Sequence, residues 1–407
     1  MTNPSRAPQL AHAAAGTGTA HALGTGLEAA PLFRGPLENQ RPRIVMTMAG
    51  DPWLLLAVAG LVGIGLVMVF NVSWFPGDDD FRDPLHFFKK HFVSILLGTT
   101  LGFVASRVRS DAYRRLAYPL LGVALVGLVL VLIPGIGVER SGARRWLPLG
   151  PLAFQPSELA KLALVIYLAA SLARKGPRIR ELGFGVLPHC MVVGLVAGLC
   201  LLEPDFGTAA LSTGILVAML WAAGARLMHL GLFAAAALPG LAFLVIMEPY
   251  RMRRLASFLD YTKDPQGMGY QLLQSLIAFA SGELTGAGLG MGQQKMHFLP
   301  AAHTDFIFAV IGEELGLLGA FTVMALFTVL LVRGLRIAMR HPDAFAGLLA
   351  FGLTVHLVLQ GMLNIGVALG CLPTKGLTLP FVSYGGSAMM LALLEAGVLV
   401  GLAREAG

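Results

Sequence analysis

The chain has 407 residues, of which 56% are hydrophobic and 13% charged, and its formal net charge is +7. Soluble globular proteins carry roughly twice that charged fraction, so the composition excludes an ordinary soluble enzyme. The basic residues stand in short connections between apolar segments, which is typical of membrane orientation and not of nucleic-acid binding. The three cysteines form no pattern typical of a metal site or a disulfide framework.

Residues 1–46 are rich in Ala, Gly, Thr and Pro and lack a long apolar run. They are therefore predicted to be a disordered cytoplasmic tail and not a signal peptide. Residues 47–407 contain apolar segments long enough to cross a bilayer as helices. We predict an all-α integral membrane protein with about ten transmembrane helices. The predicted helices cover residues 53–74, 91–107, 115–133, 157–173, 185–202, 206–223, 227–247, 306–333, 344–369 and 380–402.

The Lys and Arg residues concentrate in the N-terminal tail and in the connections 2–3, 4–5 and 8–9. By the positive-inside rule these connections and both termini are cytoplasmic. Two predicted outer loops are nevertheless basic: the 3–4 loop carries Arg144 and Arg145, and the 7–8 loop carries Arg253 and Arg254. An anionic ligand on the outer side would explain them.

The 7–8 loop, residues 248–305, is the longest predicted connection. Tyr270, Leu273 and Ile277 recur in it at helical spacing and predict an amphipathic helix on the outer surface. Residues 286–292 are rich in glycine, but no strand precedes them, so we interpret them as a flexible turn and not as a phosphate loop.

Ionisable residues within apolar segments are costly, and each one indicates a partner or a function. Glu158 and Lys161 follow a helix start at Pro156 and lie three residues apart, on one helix face. They form either an ion pair that anchors the helix or part of a polar cavity that orients a substrate. Glu313 and Glu314 are expected to pair with an Arg or Lys of a neighbouring helix.

Three further carboxylates lie at predicted outer turns. Glu203 and Asp205 flank Pro204, where they either cap a helix or bind a cation or a basic partner. Asp305 precedes an apolar run beside His303, so it is either a helix N-cap or a general base with a raised pKa. Prolines and glycines in residues 373–387 predict an irregular backbone at membrane depth, which is tolerated where it lines a cavity or is buried in protein.

Five motifs occur in one order, at residues 142–146, 155–161, 203–208, 303–306 and 383–387. Together they resemble the SEDS family of shape, elongation, division and sporulation proteins, and the resemblance covers nearly the whole chain after residue 47. Residues 373–380 resemble the division members more than the elongation members. One position departs from the family pattern, because Ala301 stands where a Glu is common.

The resemblance implies a ten-helix SEDS fold and a peptidoglycan glycosyltransferase that polymerises lipid II into glycan strands. It implies a class B penicillin-binding protein, a transpeptidase, and other division proteins as partners, in the bacterial inner membrane at the division septum. Asp305 is the expected catalytic residue, and a divalent cation, Mg²⁺ or Mn²⁺, is a possible cofactor with Asp305 as a ligand. The expected substrate-binding residues are Arg144, Arg145, Gln155, Ser157, Glu158, Lys161, Asp205, His303, Lys375, Ser383 and Tyr384.

In the mechanism that we expect, Asp305 takes the proton of a sugar hydroxyl while cationic side chains stabilise the departing pyrophosphate. Two alternatives remain open, a lipid II flippase and a division scaffold without chemistry. A flippase needs access from both membrane faces, whereas a scaffold would tolerate the loss of Asp305.

Overall fold

The structure is a computed structural model that describes residues 50–74, 82–140, 143–149, 152–247, 249–260, 267, 269–374 and 376–406. The predicted tail, residues 1–46, and the predicted ligand Lys375 lie outside these ranges. The helices of the described part are α1 (Pro52–Val72), α2 (His86–Ala105), α3 (Ser110–Leu132), α4 (Pro156–Lys175), α5 (Leu187–Leu202), α6 (Phe206–Ala222), α7 (Leu227–Ile246), α8 (Pro249–Leu259), α9 (Tyr270–Gly282), α10 (Ile307–Arg340), α11 (Ala344–Ala368) and α12 (Gly386–Ala406).

Each predicted apolar segment overlaps one of these helices, namely α1 to α7 and α10 to α12, with ends that differ by up to seven residues. Among the described residues, seven helical stretches are long and apolar enough to cross a membrane, and α6 is a shorter apolar helix. The chain is therefore a helical multi-pass membrane protein. The count of ten spans stays a prediction.

A small antiparallel sheet in the 3–4 connection adds to the predicted all-α architecture. It consists of β1 (Val138–Arg140), β2 (Ala143–Leu149) and β3 (Leu152–Phe154), in the order β1-β2-β3. In the pairing of β2 with β3, Leu147 stands opposite Phe154. β1 and β3 have only three residues each, and β2 does not alternate apolar with polar residues, which is why the sheet was not expected.

The helix predicted at Tyr270, Leu273 and Ile277 is present as α9, and it packs on the bundle through a face of mostly small residues. Its buried residues are Leu272, Ser275, Ala278 and Gly282, whereas Ile277 is exposed. The Ser275 hydroxyl donates to the Ala368 carbonyl at 2.6 Å, and a Cβ on Gly282 would collide with the α10 backbone. Small residues allow this close approach between helices, so α9 packs on α10 and α11 through its small side chains.

The glycine-rich run after α9 is not the free turn that we expected. The backbone N–H groups of Ala287 and Gly288 donate to the carbonyls of Glu313 and Glu314, at 2.9 and 3.1 Å. The N–H of Gly290 donates to the Glu314 carboxylate at 3.0 Å. Gly286, with φ of +84°, makes the close approach to α10 possible.

Glu314 has the predicted lysine partner, which lies on the short π-helix Gln294–Phe298 of the preceding loop, whereas Glu313 accepts from backbone N–H groups of that loop. Lys295 pairs with Glu314 at 2.9 Å, and its ammonium also donates to Asn71 of α1 at 2.6 Å. The N–H of Gln293 donates to Glu313 at 2.7 Å. These bonds fasten the long loop to the first turns of α10 and so fix where residue 305 enters the bundle.

Glycines bring α2 and α12 into close contact. A Cβ on Gly98 would lie 2.9 Å from the Leu393 side chain, and one on Gly397 would collide with the carbonyl of Gly102. Such small-residue contacts are a main source of helix association in lipid, where burial of apolar surface adds little. This contact fixes the position of α12, and therefore of the loop that precedes it.

We expect Gly397→Val to lower the stability of the detergent-solubilised protein by about 1–3 kcal/mol or more, because the added methyl groups force the two backbones apart. Thermal unfolding measures this loss. Gly194→Val on α5 is the matched control, since nothing lies within 4 Å of a Cβ at that glycine. Equal melting temperatures for the two variants would contradict the packing described here.

Candidate active site

Asp305 lies in the last turn of the long loop, and its side chain does not cap α10. The N-cap residue of α10 is Phe306, and no side chain bonds the free N–H groups there. The N-cap interpretation of Asp305 was therefore wrong. The carboxylate is instead free to act in the space beside the loop, and it is partly exposed.

The backbone around Asp305 is held by hydrogen bonds from α11 and from the loop that precedes α12. The Asn364 amide donates to the carbonyls of Asp305 and Leu377, at 2.8 and 2.6 Å. The Ser383 hydroxyl donates to the Thr304 carbonyl at 2.6 Å, and the Tyr384 N–H donates to the His303 carbonyl at 2.9 Å. These bonds join residues 303–305 to residues 377–384.

The pKa of Asp305 is raised to about 6, with burial as the largest cause and three neighbouring charges as smaller ones. Arg145 lowers the pKa, Asp205 raises it and Arg254 lowers it. A Cβ on Gly376 would lie 3.7 Å from Asp305 Oδ2 and 3.8 Å from Arg145 Nη1, so both groups face the gap that this glycine leaves open. A carboxyl group with this pKa is largely ionised at neutral pH and still accepts a proton readily, as a general base must.

Arg145 is anchored by the turn between α5 and α6. Its Nε donates to the Glu203 carbonyl at 2.9 Å, and its Nη2 donates to the Pro204 carbonyl at 2.5 Å. Arg144, the preceding residue of β2, forms an ion pair with Glu139 at 3.9 Å. Because successive side chains of a strand point to opposite faces, the sheet directs Arg145 to Asp305 and Arg144 to the other side.

The two carboxylates of the α5–α6 turn have different surroundings. Asp205 caps α6, accepting from the Thr208 N–H at 3.0 Å and from the Thr208 hydroxyl at 2.9 Å, which confirms the capping interpretation. Glu203 is fully buried, and neither carboxylate oxygen has a hydrogen-bond partner among the described residues. Burial raises the pKa of Glu203 to about 8; Asp205 adds to the shift and Arg145 opposes it.

Glu158 and Lys161 form an ion pair at 2.8 Å, and the Lys161 ammonium also donates to Gln360 of α11 at 2.6 Å. Lys161 is fully buried, so the pair anchors α4 against α11. Glu158 also lines a small cavity together with Thr378 and Ser383. Both interpretations that we offered therefore describe this pair in part, and a role in orienting substrate stays a prediction.

The other predicted ligands are distributed around the same loop. His303 and Tyr384 lie in an aromatic cluster with Phe87 of α2, with ring centroids 5.1–5.6 Å apart. The Gln155 N–H donates to the Ser387 hydroxyl at 3.1 Å, and the Gln155 amide donates to Ser157 at 2.9 Å. Gln155 thus joins the end of the sheet to α12, and its side chain bonds to Ser157 at the start of α4.

A divalent cation stays a prediction. No group of three or more His, Cys, Asp or Glu residues suited to a metal ion occurs among the described residues. Mg²⁺ is commonly bound by one or two carboxylates together with substrate phosphates. Asp305 would therefore suffice as the protein ligand only when an anionic substrate supplies the remaining oxygen ligands.

Comparison with known proteins identifies the family to which this site belongs. A family model described as FTSW_RODA_SPOVE, cell cycle protein, matches residues 52–407. The chain belongs to the FtsW/RodA/SpoVE family. This result confirms the resemblance to SEDS proteins that the five motifs indicated.

Relatives of this chain in the FtsW/RodA/SpoVE family include the probable peptidoglycan glycosyltransferase FtsW of Trichlorobacter lovleyi. It is 42% identical over 352 residues, which cover 86% of this chain and 92% of that protein. A chain in a solved peptidoglycan synthase complex, a structure concerned with the coordination of polymerization and crosslinking, matches with TM-score 0.74 and 32% identity over 88% of this chain and 99% of that one. The rod shape determining protein RodA of Thermus thermophilus matches with TM-score 0.65 and 31% identity over 88% and 97%.

Sequence reasoning missed Gln360 and Asn364. Both lie on α11 and both are buried, and they contact the loop that holds the site. The available signal was their spacing of four residues within an otherwise apolar helix, which places two amides on one helix face.

We expect Glu203→Gln to stabilise the protein at pH 8 more than at pH 5. The folded-state pKa of Glu203 is raised above its ordinary value of 4.5, so the unfolded chain loses this proton first as pH rises. Wild-type stability therefore falls between about pH 4.5 and 8, by at most about 1.4 kcal/mol per pH unit. Melting temperatures of both proteins across this range measure the difference, and a constant difference would contradict the raised pKa.

Proposed function

We propose that this protein is a peptidoglycan glycosyltransferase that polymerises lipid II at the outer face of the bacterial inner membrane, for septal wall synthesis. The observation that carries the proposal is the arrangement at Gly376, where the Asp305 carboxylate and the Arg145 guanidinium face one gap. The printed name of the FtsW relative and its identity over most of the chain support the same reaction.

The reaction joins two lipid-linked saccharides. The 4-hydroxyl of one lipid II attacks the anomeric carbon of the growing chain, the bond from that carbon to pyrophosphate breaks, and undecaprenyl pyrophosphate leaves with the bonding electrons. Asp305 takes the proton of the attacking hydroxyl as general base. Attack opposite the leaving group inverts the anomeric configuration, by analogy with inverting glycosidases.

Cationic side chains would stabilise the negative charge that develops on the leaving pyrophosphate. Arg145 is already fixed by two carbonyls, so it loses little side-chain freedom when it binds an anion. Arg254 of α8 donates to the Thr374 carbonyl at 3.2 Å and lowers the pKa of Asp305, which places its charge near the same gap. Lys375 is predicted to extend this basic region, whereas Arg144 pairs with Glu139 on the other side of the sheet.

The partner that we propose is a class B penicillin-binding protein, which would crosslink the strands, together with other division proteins. The similar solved chain comes from a complex concerned with polymerization and crosslinking, which supports a transpeptidase partner. We further propose that both termini are cytoplasmic, as the basic connections indicate.

We expect Asp305→Asn to reduce lipid II polymerisation by about 10²–10⁴-fold, because the amide cannot accept the hydroxyl proton. The purified protein with its transpeptidase is incubated with lipid II in detergent, and glycan strands are measured by gel electrophoresis. Asp83→Asn is the matched control, since Asp83 pairs with Lys89 at 2.9 Å on a predicted outer loop.

Glycan strands from wild type and from Asp83→Asn, and none from Asp305→Asn, would support the polymerase. Equal strands from Asp305→Asn and wild type would remove Asp305 from the chemistry. If wild type bound to its partner makes no strands, the polymerase proposal fails, and lipid II translocation across vesicles becomes the assay that separates a flippase from a scaffold.

The pH dependence offers a second check on Asp305. We expect kcat/KM for lipid II polymerisation to rise with pH up to about 6, because Asp305 loses its proton in that range, and then to level off. Arg145→Gln removes the charge that lowers this pKa, so the rising limb should move to higher pH. Initial polymerisation rates at fixed ionic strength measure the rising limb of wild type and that of Arg145→Gln. If the two limbs lie at the same pH, Asp305 is not the titrating base.

A further inference from the structure

Helix α11 carries three buried polar side chains, each four residues after the last: His356, Gln360 and Asn364. This spacing places them on one face of the helix, one turn apart. The rest of this part of α11 is largely apolar, and polar side chains within a membrane indicate a function by default. The row begins at the middle of the helix and ends at the turn that holds Asp305.

The upper two members of the row bind the backbone of the loop before α12. Asn364 donates to the carbonyls of Asp305 and Leu377. Gln360 donates to the Thr378 carbonyl at 3.0 Å and accepts from Lys161 at 2.6 Å. Through these bonds the rigid helix α11 fixes residues 377 and 378 and residue 305 relative to one another.

The lowest member, His356, joins the row to α12. Its Nδ1 lies 2.8 Å from Glu395 Oε2, and both side chains are buried. Its Nε2 is also buried and has no hydrogen-bond partner among the described residues. His356 and Glu395 line the same small cavity as Glu158 and Gln360.

The size and lining of the cavity suit one water molecule. Its free volume is about 10 Å³, close to the roughly 10–15 Å³ that a single buried water requires. A buried water typically makes about three hydrogen bonds to polar groups that lack other partners. His356 Nε2 is such a group, and the carboxylates of Glu158 and Glu395 are acceptors on the same lining.

Asn364 gives an independent indication that the row serves more than stability. Its Oδ1 is buried without a partner among the described residues, while its Nδ2 donates to two carbonyls. An unsatisfied buried polar atom is unfavourable, so this amide is kept for its two donated bonds. Violations of this kind are expected at functional sites.

We propose that His356, Gln360 and Asn364, linked by one bound water between His356 Nε2 and Glu158, form a polar ladder that positions Asp305 for catalysis. The three are positioning residues, since none touches the Asp305 carboxylate. The proposal rests on the polymerase function, because it assigns the ladder a part in that reaction. The ladder also predicts that the backbone at residue 305 is held against residues 377–378, which can be tested without measuring enzyme activity.

The first experiment compares Asn364→Leu with wild type and with the matched control Thr354→Val. Thr354 is equally buried on α11, but its hydroxyl donates only to Ala350 within the helix. We expect Asn364→Leu to lower kcat about 10- to 100-fold, as a small displacement of a catalytic group does, with the KM for lipid II changed less than about 2-fold. Asn364→Ala removes the same bonds with a smaller side chain and replaces Asn364→Leu if that variant does not fold.

Hydrogen exchange read by mass spectrometry provides the measurement that needs no activity. Residues 376–383 should exchange faster in the Asn364 variant than in wild type and in Thr354→Val, at unchanged melting temperature. If wild type makes no glycan strands, the polymerase function fails while exchange still tests the ladder. Unchanged exchange in residues 376–383, or equal losses of kcat in the Asn364 and Thr354 variants, would overturn the ladder.

The bound water is tested by a double-mutant cycle of His356→Leu and Glu158→Gln, measured by thermal unfolding. His356→Leu also removes the contact with Glu395. This loss occurs in the single and in the double mutant, so it cancels in the cycle. Non-additive destabilisation would support a bridge between the two side chains. Additive losses would show that no water links His356 to Glu158 and would overturn that part of the ladder.

Discussion

The Lys161 ammonium is fully buried in the helical bundle and is held by the Glu158 carboxylate and the Gln360 amide oxygen. Removing one partner of a buried pair leaves an uncompensated charge, which typically costs about 3–5 kcal/mol. The pair therefore fixes α4 against α11, and Gln360 extends this constraint to Thr378 in the loop before α12. The geometry around Asp305 depends on these contacts, because Asn364, one turn further along α11, holds the Asp305 backbone.

The loops at the site are irregular, yet each is fastened to a helix. The long loop before α10 is bonded through Lys295 and the glycine-rich run to Glu313 and Glu314. The loop before α12 is bonded to α11. Backbone that leaves helical geometry within a membrane protein must satisfy its polar groups inside the protein. The site thus combines loop geometry, which brings Asp305 and Arg145 to one gap, with the rigidity of the helices beneath it.

Much of this arrangement was predictable. Apolar length located the helices, the i, i+3 spacing paired Glu158 with Lys161, and the turn chemistry made Asp205 a cap. The motifs indicated the family. Other expectations were wrong for physical reasons. Asp305 does not cap α10, since the chain turns at Phe306 instead. The glycine-rich run after α9 is not a flexible turn, since its N–H groups bond to Glu313 and Glu314, which are close in space but distant in sequence.

The sequence by itself determined that the chain is a helical membrane protein, which carboxylates and cations are available to it, and to which family it belongs. These features are local, since each depends on the composition of a segment or on spacing within one turn. Only the tertiary structure decided that Arg145 and not Arg144 faces Asp305, and that the amides of α11 hold the turn that contains Asp305. These relations join residues 59 to 160 positions apart, and the packing of α4, α11 and α12 sets their distances.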